Sequence, residues 1–213
     1  MATKRAYVRG GWGRSDMPPL CGGRTYRGEV PVPVRPAQLL DRVAELAAVP
    51  ARRPLFIGID GRGGAGKSTL ARQIAARVSP SVIVAIDDFT RPERPGWECD
   101  RLERQVLAPL RTGRPGRYQR WDWDRDEGAE WLDVPVDSVV IVEGVSSTRD
   151  EVRVEWDLTV WVETPRVLCL QRGVERDGEH MRDRWTSVWM PQEDSYIREQ
   201  RPHLRVDFVV AGC

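Results

Sequence analysis

Apolar positions along the chain come in two rhythms. Leu39, Leu40, Val43, Leu46 and Ala47 repeat at helical spacing behind Pro36, so a helix opens there with one buried face. Leu55–Ile59 is a short unbroken apolar run and reads as a strand buried on both faces. Glycine-rich residues follow, then a helix over Lys67–Val78. Val82–Ile86 is a second strand run, Val139–Val142 a third, Leu158–Val162 a fourth and Val206–Val210 a fifth. Glu98–Arg111 carries Leu102, Val106 and Leu110 four apart, which predicts a helix. A further helix from about Pro165 runs through an arginine-rich segment to Trp185, and another covers about 186–200. Residues 112–137 are polar and aromatic with no clear period.

Strands alternating with helices predict an α/β fold: three layers, α/β/α, around a mainly parallel sheet of five strands. Residues 1–33 are rich in Gly, Pro and Arg without apolar periodicity, and read as a disordered arm. Residues 34–213 then form one domain.

Composition narrows the class of function. A net charge of +1 gives no global basic field, so no nucleic-acid partner is expected. No apolar stretch approaches the roughly 20 residues of a membrane helix, and no signal pattern opens the chain, so a cytoplasmic protein without a membrane partner is expected. Self-association stays open. Four scattered cysteines and two histidines are poor material for a disulfide framework or a zinc site.

One motif dominates. Gly61-Arg62-Gly63-Gly64-Ala65-Gly66-Lys67-Ser68 matches G-x-x-x-x-G-K-[ST], with a strand before it and a helix after it. Glycines let successive backbone N–H groups curl around phosphate oxygens, and the helix aims its positive end at the same place. Gly61, Gly63, Gly64, Ala65, Gly66, Lys67, Ser68 and Thr69 are the expected triphosphate-binding residues, for ATP or GTP. Lys67 would reach the β- and γ-phosphates and Ser68 would complete a Mg²⁺ shell. The chain has only two lysines among 33 basic residues, and one of them stands at the position a P-loop requires.

Carboxylates are expected at the ends of neighbouring strands. Glu143 ends the Val140-Ile141-Val142 strand and suits the magnesium side. Asp87 and Asp88 follow the second strand, and either could take the acceptor's proton or hold the metal's waters. Strand-like alternation would point these two apart. Arg172 and Arg176 are four residues apart, so a helix places them on one face, where they could clamp phosphoryl oxygens; a solvated mixed-charge helix reads equally well. Tyr118, Trp121 and Trp123 could stack a base or sugar, with Asp88 and Asp122 taking polar groups; packing of a core edge or lid is the plainer alternative.

In order, IGIDGRGGAGKSTLA (57–71), IDDF (86–89), VIVEG (140–144), RGVERD (172–177) and RPHLRVDFVV (201–210) resemble the uridine kinase-like branch of P-loop kinases, which also includes phosphoribulokinase and bacterial pantothenate kinase. The resemblance covers about 55–210. It implies Asp87 as base on the acceptor hydroxyl, Glu143 as magnesium-side acid (with Ser68 and Asp87 also near the metal), and Arg172 and Arg176 as phosphate-contacting arginines of a small lid, about 173–186. The implied activity is phosphorylation of a small-molecule hydroxyl, a uridine- or cytidine-like nucleoside first, pantothenate or a sugar as alternatives. Thr90 stands where uridine kinases carry an aromatic, and the Tyr118–Asp124 stretch lacks their histidine. A non-catalytic nucleotide switch or an ATPase acting on a protein partner remains the reading from a different class.

Overall fold

The computed structural model describes residues 31–49, 54–91, 96–123 and 125–212. Residues 1–30 of the expected arm lie outside the described residues.

Six strands form one sheet: β1 (Val32–Val34), β2 (Leu55–Gly61), β3 (Ser81–Ala85), β6 (Val139–Glu143), β7 (Leu158–Glu163) and β8 (Phe208–Ala211). Their order is β1-β8-β7-β2-β6-β3, and every pairing is parallel. The expected count of five is thus corrected to six. The added strand is Val-Pro-Val, too short to show a period, and it begins before the boundary given to the arm. It lies at the sheet edge, where a proline without an N–H is tolerated.

Alternation along the central strands builds two cores. Leu55, Ile57 and Ile59 of β2, with Val139 and Ile141 of β6, face one side. They meet Leu39, Val43 and Leu46 of α1 (Pro36–Ala47) and Leu70, Ala71 and Ile74 of α2 (Lys67–Arg77). Phe56, Val140 and Val142 face the other side and meet Leu102, Val106, Leu107 and Leu110. Those four belong to α3, a helix over 99–111 whose middle turn, Glu103–Leu107, is π-helical. This is the three-layer arrangement, with both sheet faces covered.

The stretch without a period is an antiparallel hairpin, β4 (Gly116–Asp122) with β5 (Glu127–Val134), bulged between Gln119 and Trp121. It escaped the apolar pattern because only Gly116, Tyr118 and Val134 are buried along it. The second half of the chain holds α4 (Arg166–Asp177), then a helix over 182–200, here α5, with a π turn at Trp185–Trp189. A short cluster of Val174, Met181, Trp185 and Met190 joins α4 to α5. Among the described residues no helix is long and apolar enough to cross a membrane.

Candidate active site

In an open parallel sheet the carboxyl ends of the strands are where ligands bind, because helix N-termini converge there. The Gly61–Ser68 loop leaves β2 at that edge. Glu143 ends β6, which pairs with β2, and Asp87 and Asp88 follow β3, which pairs with β6. Sheet order alone therefore gathers the three acidic positions beside the loop.

The loop has the shape of a phosphate cradle. Gly64 sits at φ +75°, and a Cβ there would run into the carbonyl of Cys169 on α4. Lys67 is almost fully buried and its Nζ donates to the Arg62 carbonyl at 2.7 Å, across the mouth of the loop. Ser68 Oγ donates to Glu143 Oε1 at 2.8 Å. Burial pushes the Glu143 carboxyl up, while Lys67 and the Ser68 bond pull it back. A hydroxyl beside a desolvated carboxylate is a donor set suited to Mg²⁺, which prefers a few protein oxygens plus water and phosphate. Among the described residues no group of three or more His, Cys, Asp or Glu side chains could hold a metal unaided. The residues fit a magnesium ion brought in with a triphosphate.

Asp87 is exposed, and its charge acts on both Glu143 and Arg176, so these three share one region. Arg176 pairs in bidentate fashion with Asp177 at 2.8 and 3.1 Å. Arg172 carries a buried Nη1 with no hydrogen-bond partner. Its charge acts on Cys169, three residues away on α4, whose carbonyl packs against Gly64 of the loop. An unpaired buried guanidinium nitrogen is costly unless an anion meets it.

Asp87 and Asp88 lie in a 3₁₀ turn, Ile86–Phe89, where strand alternation does not apply, and they differ in exposure and partners. Asp88 turns to the hairpin, where Tyr118 Oη donates to its Oδ2 at 3.2 Å and Arg101 holds its carbonyl at 3.0 Å. Burial raises the Asp88 carboxyl to about 6, against the pull of the Tyr118 bond and of Arg120.

The aromatic positions separate. Tyr118 is fully buried and its ring stacks on Phe89 at 4.8 Å, so its faces are spent in the core and offer no stacking platform. Burial and Asp88 push its hydroxyl above the usual tyrosine range. Trp121 is half-buried under the Arg91 guanidinium, 5.7 Å from the ring. Asp122 is engaged at the hairpin tip, accepting from the Arg125 amide at 3.1 Å and lying 3.6 Å from Arg120. Trp123 is exposed.

Sequence reading missed two carboxylates. Asp60, at the end of β2, is fully buried and accepts from the Gly61, Ser146 and Thr148 amides, the Thr148 hydroxyl and the Tyr196 hydroxyl at 2.6–3.1 Å. It ties the phosphate loop, the segment after β6 and α5 together. Glu193 of α5 accepts from the Gly63 amide at 3.1 Å. Its position, three after Met190 and eight after Trp185, puts a charge on an otherwise apolar helix face, and that was the available signal.

No protein-family model matches the chain. A uridine kinase of Ureaplasma urealyticum serovar 10 is 26% identical over 183 residues, covering 73% of this chain and 88% of the relative. A uridine kinase of Halobacterium salinarum is 29% identical over 174 residues, 70% of this chain and 77% of the relative. Among solved structures, one described as a possible uridine kinase from Bacillus stearothermophilus superposes with a TM-score of 0.60 at 22% identity, covering 81% of this chain and 99% of that one. The fold is that of the P-loop kinases, and the chain resembles their uridine kinase-like branch.

Proposed function

We propose that this relative of the uridine kinases transfers the γ-phosphoryl group of ATP, or GTP, to a hydroxyl of a small molecule. The observation that carries the reading is the Ser68–Glu143 pair at the foot of the phosphate loop, with Asp87 on the adjoining strand end.

Each residue then has a task. The loop amides other than that of Gly63, which Glu193 holds, bind the β- and γ-phosphates together with Lys67, which gives up the Arg62 carbonyl to do so. Ser68 and Glu143 would hold a magnesium ion, with Asp87 on the same side; when bound, that ion would neutralise charge on the phosphate oxygens. Asp87 orients the acceptor hydroxyl and takes its proton. Arg172 meets phosphoryl oxygens with its unpartnered nitrogen, and Arg176 does so after leaving Asp177.

A uridine- or cytidine-like nucleoside is the first acceptor to test. A non-nucleoside acceptor such as pantothenate or a sugar is favoured by one observation: the Tyr118 ring is buried against Phe89 and cannot stack a base. Trp121 and Trp123, with Asp88 and Asp122, would then line the acceptor side.

The test is acceptor-dependent ADP release with Mg-ATP across nucleosides, pantothenate and sugars. Asp87→Asn is expected to lower turnover about 100-fold or more with the acceptor that works. Unchanged turnover in that variant removes Asp87 as base. ATP hydrolysis that ignores every acceptor but responds to a protein partner would support the ATPase reading instead.

A further inference from the structure

Glu193 reaches the backbone of the phosphate loop from outside the strand ends. It sits on α5, 130 residues from its partner Gly63, and its side chain is 8% exposed. Oε1 accepts from the Gly63 amide at 3.1 Å; Oε2 is buried without a hydrogen-bond partner, 3.9 Å from Arg62 Nη1. Burial pushes this carboxyl up, opposed by Lys67, the Gly63 amide and Arg62.

The fit around Gly63 is close. A Cβ there would lie 2.8 Å from Glu193 Oε1 and 2.7 Å from the Trp185 ring, so the loop's third residue is glycine because α5 presses on it. The neighbouring side chain is held as well. Arg62 Nη1 meets Asp194 Oδ1 at 2.6 Å, and Asp194 also meets Arg166 of α4 at 3.2 Å. Two consecutive acids of α5 thus grip two consecutive residues of the loop, one by its amide and one by its guanidinium. A desolvated carboxylate left beside a triphosphate site costs binding energy through like-charge repulsion. Its presence calls for a compensating task, and the Gly63 bond supplies one.

We propose that Glu193 is a positioning residue for the phosphate loop, holding the Gly63 amide so that the loop is shaped for the triphosphate before it arrives. It acts through the loop backbone and need not touch the nucleotide. The proposal rests on the reading of Gly61–Ser68 as a triphosphate site, and it commits to a hydrogen bond, as opposed to a charge, as the working part.

Glutamine keeps the acceptor oxygen at the same reach and drops the charge. Methionine keeps the shape and drops the acceptor; aspartate keeps the charge but withdraws it by one methylene. Titration calorimetry with Mg-ATP, beside thermal melts without nucleotide, compares the three. Glu193→Gln is expected to bind as tightly as wild type or more tightly, and Glu193→Met and Glu193→Asp about tenfold more weakly. Either weakened variant suffices for the comparison should the other fail to fold. Wild-type affinity in folded Glu193→Met or Glu193→Asp overturns the proposal, and so does a Glu193→Gln variant that is folded yet as weak as they are. Absence of binding of both Mg-ATP and Mg-GTP by the wild-type protein would instead overturn the triphosphate reading on which this rests.

Discussion

Asp87 and Asp88 show how adjacent identical residues acquire different chemistry. Asp87 stays exposed near Glu143 and Arg176, whereas Asp88 is drawn against Tyr118 and half-buried. The Asp88 pKa is raised from its ordinary value of 3.8 to about 6, chiefly by burial. A raised carboxyl binds its proton more tightly when folded, so the folded state loses stability from this group as pH rises from about 4 through about 6. Asp88→Asn lacks that loss and can still accept from Tyr118. Its stability relative to wild type is therefore expected to improve between pH 4 and pH 7, measured as denaturation midpoints across that range. A constant difference would show that Asp88 ionises normally. The same residue scale explains why Asp60 and Glu193 were not legible. A carboxylate's role depends on which amides and hydroxyls surround it, and apart from the Gly61 amide those come from residues 86 to 136 positions away.

Among elements, α3 was read well and the hairpin was not, for one reason. Leu102, Val106 and Leu110 recur at the spacing that keeps one helix face apolar, and all are at most 1% exposed. The π turn at Glu103–Leu107 adds Leu107 to that face, which a four-residue spacing does not anticipate. Leu110→Ala is expected to destabilise by about 2–5 kcal/mol, and Arg104→Ala, on the exposed side, by no more than about 0.5 kcal/mol; chemical denaturation separates the two. The β4–β5 hairpin lies mostly in solvent, so its strands need no apolar alternation. Its buried aromatic anchor, Tyr118, is a residue whose type equally suits a binding surface. Burial against Phe89 decided between the two uses, and burial is a tertiary property.

At the scale of the whole molecule, a parallel sheet with helices on both faces brings loops distant in sequence to one edge. If Mg-ATP binds that edge as proposed, mass action would stabilise the folded state by about 2.7 kcal/mol at a hundredfold excess over Kd. The melting temperature is then expected to rise by about 5 °C or more, and Lys67→Ala to abolish the rise. An equal shift in both proteins would place nucleotide binding elsewhere. The alternation of strands and helices, the glycine-rich loop and the acids at strand ends were legible from the chain alone. Each of these is local: short apolar runs, glycines beside a lysine, a carboxylate closing a strand. The sixth strand, the burial of Tyr118, the pairing of Asp88 with Tyr118, and the grip of Glu193 and Asp194 on Gly63 and Arg62 came only with the folded molecule. These depend on which surfaces meet after the sheet has formed, and no spacing within a single element encodes that meeting.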